Sequence, residues 1–561
     1  MAILYQNIPR SESPKLNMKA AFTTILICFV HFILMGQTIS NGKDLINEIP
    51  PENTSLAHQW WNLLYYDISI HQDHIGKFIE GSNEITFAAL DPGQELQIDL
   101  HAPMKITGVV WDKKKLDFRR IDSFSYIVRF PSIIGKKQKH TIKVQFKGQP
   151  KESKNPPYDS GWIWSKDEKG RPWVSVACQG TGASIWLPCK EVLYDEPDNG
   201  VSFSITVSDS LTAIANGRLT KREVNKNKTT TYTWKVVNPI NHYNIVPYIG
   251  RYETWHKDFN GVKGKLDCDY WVLDYNLSKG KKHFQQADTM LHAFEYWLGP
   301  YPFYEDGYKL IEAPHPGMEH QSAIAYGNGF QNGFQGKDFI SGTKWSLKWD
   351  FMIVHESGHE WFGNSITCNN HGDTWIHEGF TKYLEVLYTS YVFGVEAGND
   401  YAIGTWKRIK NDQPILGTGT SDKYYKGGAM LHMIRQITGD SLFRELLIGL
   451  NRKFYHKTAD SGQIFGFFNS YTKRDFSKIF DQYLKTIQVP MLEYSFINET
   501  FLFRWNNCIQ GFDMPVKITL DGKSYQFISP TTQWQELKKT GIDPAKFKVD
   551  RNFYVTQSKV N

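Results

Sequence analysis

Two histidines four residues apart, His355 and His359, stand in the stretch His355-Glu356-Ser357-Gly358-His359. On a helix that spacing puts both imidazoles on one face, where they can share a cation. Glu356 then lies beside an open coordination position, suited to take a proton from water. An H-E-x-x-H string arises by chance in about one chain in a hundred of this length, so the pattern alone is weak. Glu378 strengthens it: it follows His359 by nineteen positions, in Trp375-Ile376-His377-Glu378-Gly379-Phe380, where a new helix starts and its first turn can face back on the other. Two histidines and a glutamate leave a fourth position for water, the pattern of a catalytic rather than a structural zinc site. Calcium or magnesium would want an oxygen-rich shell. The expected cofactor is one Zn2+ per chain, held by His355, His359 and Glu378.

These side chains need rigid elements under them. Phe351-Met352-Ile353-Val354 leads into the motif and Trp361-Phe362 follows it, so apolar flanks can pack the helix and hold its ligands still. The 3.6-residue period first shows at Met290-Leu291-His292-Ala293-Phe294 and recurs over 351–364, 378–391 and 426–437, which makes residues 253–490 α-rich. Before them, from Trp60 to about Tyr252, the period is two. Tyr66-Asp67-Ile68-Ser69-Ile70, His140-Thr141-Ile142-Lys143-Val144 and Val201-Ser202-Phe203-Ser204-Ile205 are examples, and an N-terminal antiparallel β domain over 41–252 follows. After Pro490 strands return, as in Thr500-Phe501-Leu502-Phe503, and 491–561 reads as a small β-sandwich. The fold class is multidomain α+β.

A chain of 561 residues with 41% apolar and 22% charged residues is globular and too long for one core. The net charge of +6 is spread thin. Lys113-Lys114-Lys115 and Lys279-Gly280-Lys281-Lys282 are short and lack interleaved aromatics, so they read as solvated faces and imply no nucleic-acid partner. Residues 18–40 have the pattern of a signal peptide, with Lys19 before an apolar run from Ala20 to Met35. Met18 is the expected true start, and export to the periplasm or the exterior is the expected localisation. That run is shorter than the ~20 residues a membrane helix needs, so no stable span is expected once the signal is removed. Beyond Cys28 the five cysteines are odd in number and scattered. Cys178 and Cys189 pair or remain two buried thiols.

The run HESGHEWFGN, followed by WIHEGF, resembles the gluzincin aminopeptidases of the aminopeptidase N and leukotriene hydrolase family. Upstream, His315-Pro316-Gly317-Met318-Glu319-His320 is similar to the family's G-x-M-E-N strand motif, with Pro316 replacing the first glycine and His320 the asparagine. The resemblance implies that Glu319 holds the substrate's free α-amino group, with Gly317 letting a peptide backbone approach and Met318 lining the pocket. A carboxylate fixed at a set distance from the metal pairs with an ammonium and decides how many residues precede the scissile bond. Tyr424-Tyr425-Lys426-Gly427 resembles the Y-x-K-G element, which implies that Tyr424 stabilises the oxyanion, with Tyr425 beside it as the rival. Ala177-Cys178-Gln179, before Trp186-Leu187-Pro188-Cys189, is similar to the segment that puts a glutamine, here Gln179, in the substrate pocket.

The resemblance implies a thermolysin-like catalytic domain, and the stretch after 490 leaves no room for the large helical C-terminal domain many members carry. The function implied is hydrolysis of the first peptide bond of peptides with a free N-terminus, with Glu356 as general base. An endopeptidase, a small-molecule (epoxide) hydrolase on the same site, or a non-catalytic peptide-binding relative are the alternatives.

Overall fold

The computed structural model describes residues 55–560. The segment 18–40, with its signal-like pattern, lies outside them.

Alternating apolar residues build the N-terminal part as expected. Val201–Ser208 buries every second side chain, as a strand covered on one face must. It belongs to an eight-stranded sheet in the order Arg218–Val224, Thr229–Val236, Val201–Ser208, Trp61–Asp73, Phe78–Ala89, Lys139–Gly148, Lys105–Trp111, Lys114–Lys115. One pairing departs from the antiparallel expectation: Trp61–Asp73 runs parallel to Val201–Ser208, with Tyr66 opposite Val201. A parallel pair needs a long crossover, and the more than one hundred residues between these two strands supply it. Periodicity reports which face a residue occupies, not the direction of its neighbour. Smaller sheets of four and three strands complete this part.

The α-rich part also holds a mixed five-stranded sheet, in the order Tyr252–Gly261, Gly264–Leu273, Tyr308–Glu312, Ile324–Tyr326, Gly317–Met318. Its last strand is only two residues long and runs antiparallel to Ile324–Tyr326, with Gly317 opposite Tyr326. Met318, Ile311 and Ala325 join the core of the N-terminal β region, so that region packs directly behind the edge strand.

Three helices carry the candidate metal ligands and the tyrosine. Phe351–Gly358 starts at Asp350, whose carboxylate accepts from the amides of Met352 and Ile353 at 2.9 and 3.2 Å, an N-cap worth about 1 kcal/mol. It is shorter than the 351–364 periodicity suggested. Beyond Gly358 the chain tightens into three-residue turns, then Asn364, Ser365 and Ile366 reach back five residues to His359, Glu360 and Trp361. Gly363 takes a φ of +131°, which an α-helix cannot hold.

The second helix, Trp375–Phe393, is buried along almost its whole length. The third, Asp422–Thr438, crosses it at two glycines. A Cβ at Gly379 would lie 3.1 Å from Lys423 O and 3.4 Å from Gly427 Cα, and this close approach brings the first turn of the third helix, with Tyr424, over the start of the second.

After Pro490, sheets of four and three strands follow. Their core residues Phe501, Phe503, Trp505 and Val516 merge with the core of these three helices. No helix among the described residues is long and apolar enough to cross a membrane. Cys178 and Cys189 are separate free thiols.

Candidate metal centre and substrate site

His355, His359 and Glu378 converge as the sequence suggested, with one donor atom from each lying within 4.8 Å of the others. His355 sits in the last turn of the first helix and His359 is its C-cap, still in helical conformation. Glu378 enters from the first turn of the second helix. Each imidazole is oriented from behind. His355 Nδ1 donates to Glu385 Oε1 at 2.7 Å, and His359 Nδ1 to the Phe362 carbonyl at 2.9 Å. Carboxylate and carbonyl can only accept, so each Nδ1 carries a proton and, in the neutral rings that bind a metal, both Nε2 lone pairs face inward. There Glu378 Oε2 lies 3.4 Å from His359 Nε2 and 3.9 Å from His355 Nε2. It is buried and without a hydrogen-bond donor. An orphaned carboxylate oxygen between two imidazole lone pairs is the arrangement a cation would satisfy.

The charge balance agrees. Glu319 and Glu356 form a second close group with His359, so three buried carboxylates, Glu378 among them, surround this histidine. Burial would lower the His359 pKa, but Glu319 and Glu378 push it up to about 10. Burial raises Glu356 well above the usual carboxylate range, with the Glu319 charge adding to it. Glu378 is held well below that range: burial works against its charge, and His359 more than offsets it. A pocket that pulls a proton onto a buried histidine lacks positive charge, and a divalent ion bound by two nitrogens and one carboxylate oxygen supplies it. Zinc fits this donor set.

Behind the metal group, Glu319 follows the edge strand and is buried. Gln179 Nε2 and the Tyr243 hydroxyl, at 3.1 Å, both donate to its Oε1, so neither donor occupies Oε2. Asn364 Nδ2 holds the Glu319 carbonyl at 2.8 Å. Gln179 and Tyr243 come from the N-terminal β region, and the same turn that carries Tyr243 clasps the chain beyond the metal helix through Asn241 to Gly363 O (3.1 Å) and Asn244 to Asn364 Oδ1 (2.6 Å). His320, where the family motif has asparagine, is fully buried and its Nδ1 meets the Tyr248 hydroxyl. Gly317 presses against Glu356: a Cβ there would lie 2.8 Å from Glu356 Oε1. Met318 faces the N-terminal core.

Of the two tyrosines, Tyr424 reaches the site, its hydroxyl donating to Glu378 Oε1 at 2.7 Å. Tyr425 turns toward the Lys382 ammonium. Burial and the Glu378 charge push the Tyr424 phenol well up, so it remains a protonated donor.

Sequence reasoning assigned no role to Tyr243, Asn364 or Glu385. Tyr243 carries no signal outside the fold, and Asn364 closes the HESGHEWFGN run without its spacing showing what it holds. Glu385 does, because it follows Glu378 by seven positions, two turns along the same face of one helix.

Comparison with known proteins places the chain. Residues 62–243 match the peptidase M1 N-terminal domain and residues 343–483 the peptidase family M1 domain, together more than half of the chain. Leukotriene A-4 hydrolase of Xenopus laevis is 22% identical over 459 residues, which span 76% of this chain and 69% of that protein. Endoplasmic reticulum aminopeptidase 1 of Homo sapiens is 23% identical over 426 residues, 70% of this chain but only 44% of that protein. Among solved structures, an M1 zinc metallopeptidase from Deinococcus radiodurans bound to a Tyr-Ser-Ala substrate superposes with a TM-score of 0.64 at 19% identity, covering 78% of this chain and 96% of that one. The two family domains, with a buried His-His-Glu group where a zinc ion fits, make the chain a member of peptidase family M1.

Proposed function

We propose that the protein is a zinc aminopeptidase that removes the N-terminal residue of peptides with a free α-amino group. One observation carries this reading: Glu319, a buried carboxylate fixed by Gln179 and Tyr243, stands within the same group of atoms as Glu356 and His359. A charge held there binds an ammonium and leaves little room for substrate between the amine and the scissile carbonyl. The short edge strand Gly317–Met318 is the backbone along which a peptide would align.

When bound by His355, His359 and Glu378, zinc supplies Lewis acidity toward water and the substrate carbonyl. Glu356 takes a proton from the attacking water and returns it to the leaving amine. Burial and Glu319 raise its proton affinity, as a base of this kind needs. The Tyr424 hydroxyl donates to the developing oxyanion, a contribution of about 10²- to 10³-fold for such donors.

Replacing Glu356 with Gln tests the mechanism. Turnover of a panel of aminoacyl-p-nitroanilides should fall by about 10²-fold or more while zinc, measured by metal analysis, stays stoichiometric. Activity that survives the substitution, or that persists after full removal of zinc by a chelator, contradicts it. The panel also reads the side-chain preference. Residues 18–40 carry the pattern of an export signal, and export to the periplasm or the exterior is expected, read by cell fractionation, with N-terminal sequencing of the exported protein showing whether the segment is retained.

A further inference from the structure

Lys382 is an unusual place for a charge. It lies in the middle of the Trp375–Phe393 helix and is 3% exposed. Its stem passes Gly428 of the neighbouring helix, where a Cβ would come within 3.3 Å of Lys382 Cγ. Removing an ammonium from water costs several kcal/mol, and a buried ion pair often returns no net stability, so stability alone does not account for it.

What the ammonium touches is informative. Lys382 Nζ donates to both oxygens of Glu385, at 2.7 and 3.0 Å. Glu385, fully buried, also accepts from the Tyr401 hydroxyl at 2.5 Å and from His355 Nδ1 at 2.7 Å. The same Nζ lies 4.9 Å from the centre of the Phe351 ring. Phe351 stacks on the His355 imidazole, with ring centres 5.0 Å apart and planes 15° from parallel. Two groups therefore fix the His355 ring, Glu385 at its edge and Phe351 on its face, and Lys382 contacts both. Phe351 and His355 share one helix while Lys382 and Glu385 share the next, so the ammonium also ties the two ligand-bearing helices together.

From this geometry we infer that Lys382 is a positioning residue for the metal ligand His355, acting through Glu385 and Phe351. Four donor bonds, two of them from Lys382, leave the Glu385 carboxylate a single orientation, the one in which Oε1 faces His355 Nδ1. Without the lysine, Glu385 is a buried anion with only Tyr401 and His355 as partners. The imidazole then loses its fixed aim, and groups of this kind behind a zinc ligand affect metal affinity by about 10- to 100-fold. The inference rests on the zinc site described above and concerns only how one of its ligands is held.

Zinc affinity of the full chain, measured by competition with a chromophoric chelator, is the test. Lys382→Met should weaken zinc binding by about 10- to 100-fold, while KM for free-amine substrates at saturating zinc changes little, because Lys382 does not touch Glu319 or Gln179. The double variant Lys382→Met with Glu385→Gln keeps an acceptor for His355 but has no charge to compensate, and it should recover most of the lost affinity. It also serves if the single variant does not fold. Zinc binding by Lys382→Met within about twofold of the parent, or a double variant whose loss is the sum of the two single losses, overturns the inference. A parent chain that binds no zinc refutes the metal site itself, which is a separate result.

Discussion

Gly317 and Glu356 share the space of one side chain. A Cβ on Gly317 would stand 2.8 Å from Glu356 Oε1, 3.0 Å from its Cγ and 2.6 Å from Met352 Sδ. The edge strand therefore passes directly over the proposed base, and only a glycine lets it. Gly317→Ala should displace Glu356 and lower kcat by about 10²-fold, as a misplacement of the order of 1 Å can, at a stability cost of roughly 1–3 kcal/mol for one extra methyl in a packed site. Steady-state kinetics beside thermal melting separate the two effects. A variant with unchanged kcat would show that Glu356 does not need that position.

Tyr243 donates to Glu319 from the N-terminal β region. Tyr243→Phe removes one of two donors to that carboxylate without opening a cavity. A hydrogen bond to a charged group is worth roughly 1.5–3 kcal/mol, so KM for free-amine substrates should rise by about 10-fold or more, with a smaller change in kcat. A fall in kcat at constant KM would place Tyr243 in the chemical step instead.

His377, beside Glu378, is buried and its Nε2 accepts the Cys368 amide at 2.8 Å. Burial pushes its pKa down to about 3. In the unfolded chain it takes up a proton near 6.5, so between those values the unfolded state binds more protons than the folded one. The stability tied to this neutral histidine is complete above pH ~6.5 and is lost as the pH falls toward 3, at up to about 1.4 kcal/mol per unit. Melting temperatures between pH 6.5 and 4.5 should drop less steeply in His377→Gln, whose amide oxygen can still accept from Cys368. Equal slopes would remove His377 as a source of acid sensitivity.

The metal trio was legible because its spacing is set by one helix: His355 and His359 must share a face wherever that helix lies. Glu378 needed only a second helix to start nearby. What the sequence hid depends on the approach of distant segments. Tyr243 meets Glu319 from 76 residues away, and no local pattern marks a tyrosine whose hydroxyl reaches another region. The helix ending at Gly358 was misjudged because Trp361 and Phe362 continue the apolar period while Gly363 breaks the backbone beneath them. Gly317 was expected to admit a substrate backbone, and the structure gives it a second task in leaving room for Glu356. The parallel strand pair was equally out of reach, since alternation is the same in either direction.

The role of Glu319 as the amine anchor is the central claim, and one pair of substrates addresses it. Hydrolysis of a tripeptide and of its N-acetylated form should be followed by mass spectrometry under identical conditions with zinc present. Release of the first residue from the free peptide, with cleavage of the acetylated one reduced by about 10²-fold or more, is the expected result for a site built on an ammonium–carboxylate pair. Cleavage of both at equal rates, or cleavage only at internal bonds, would contradict it.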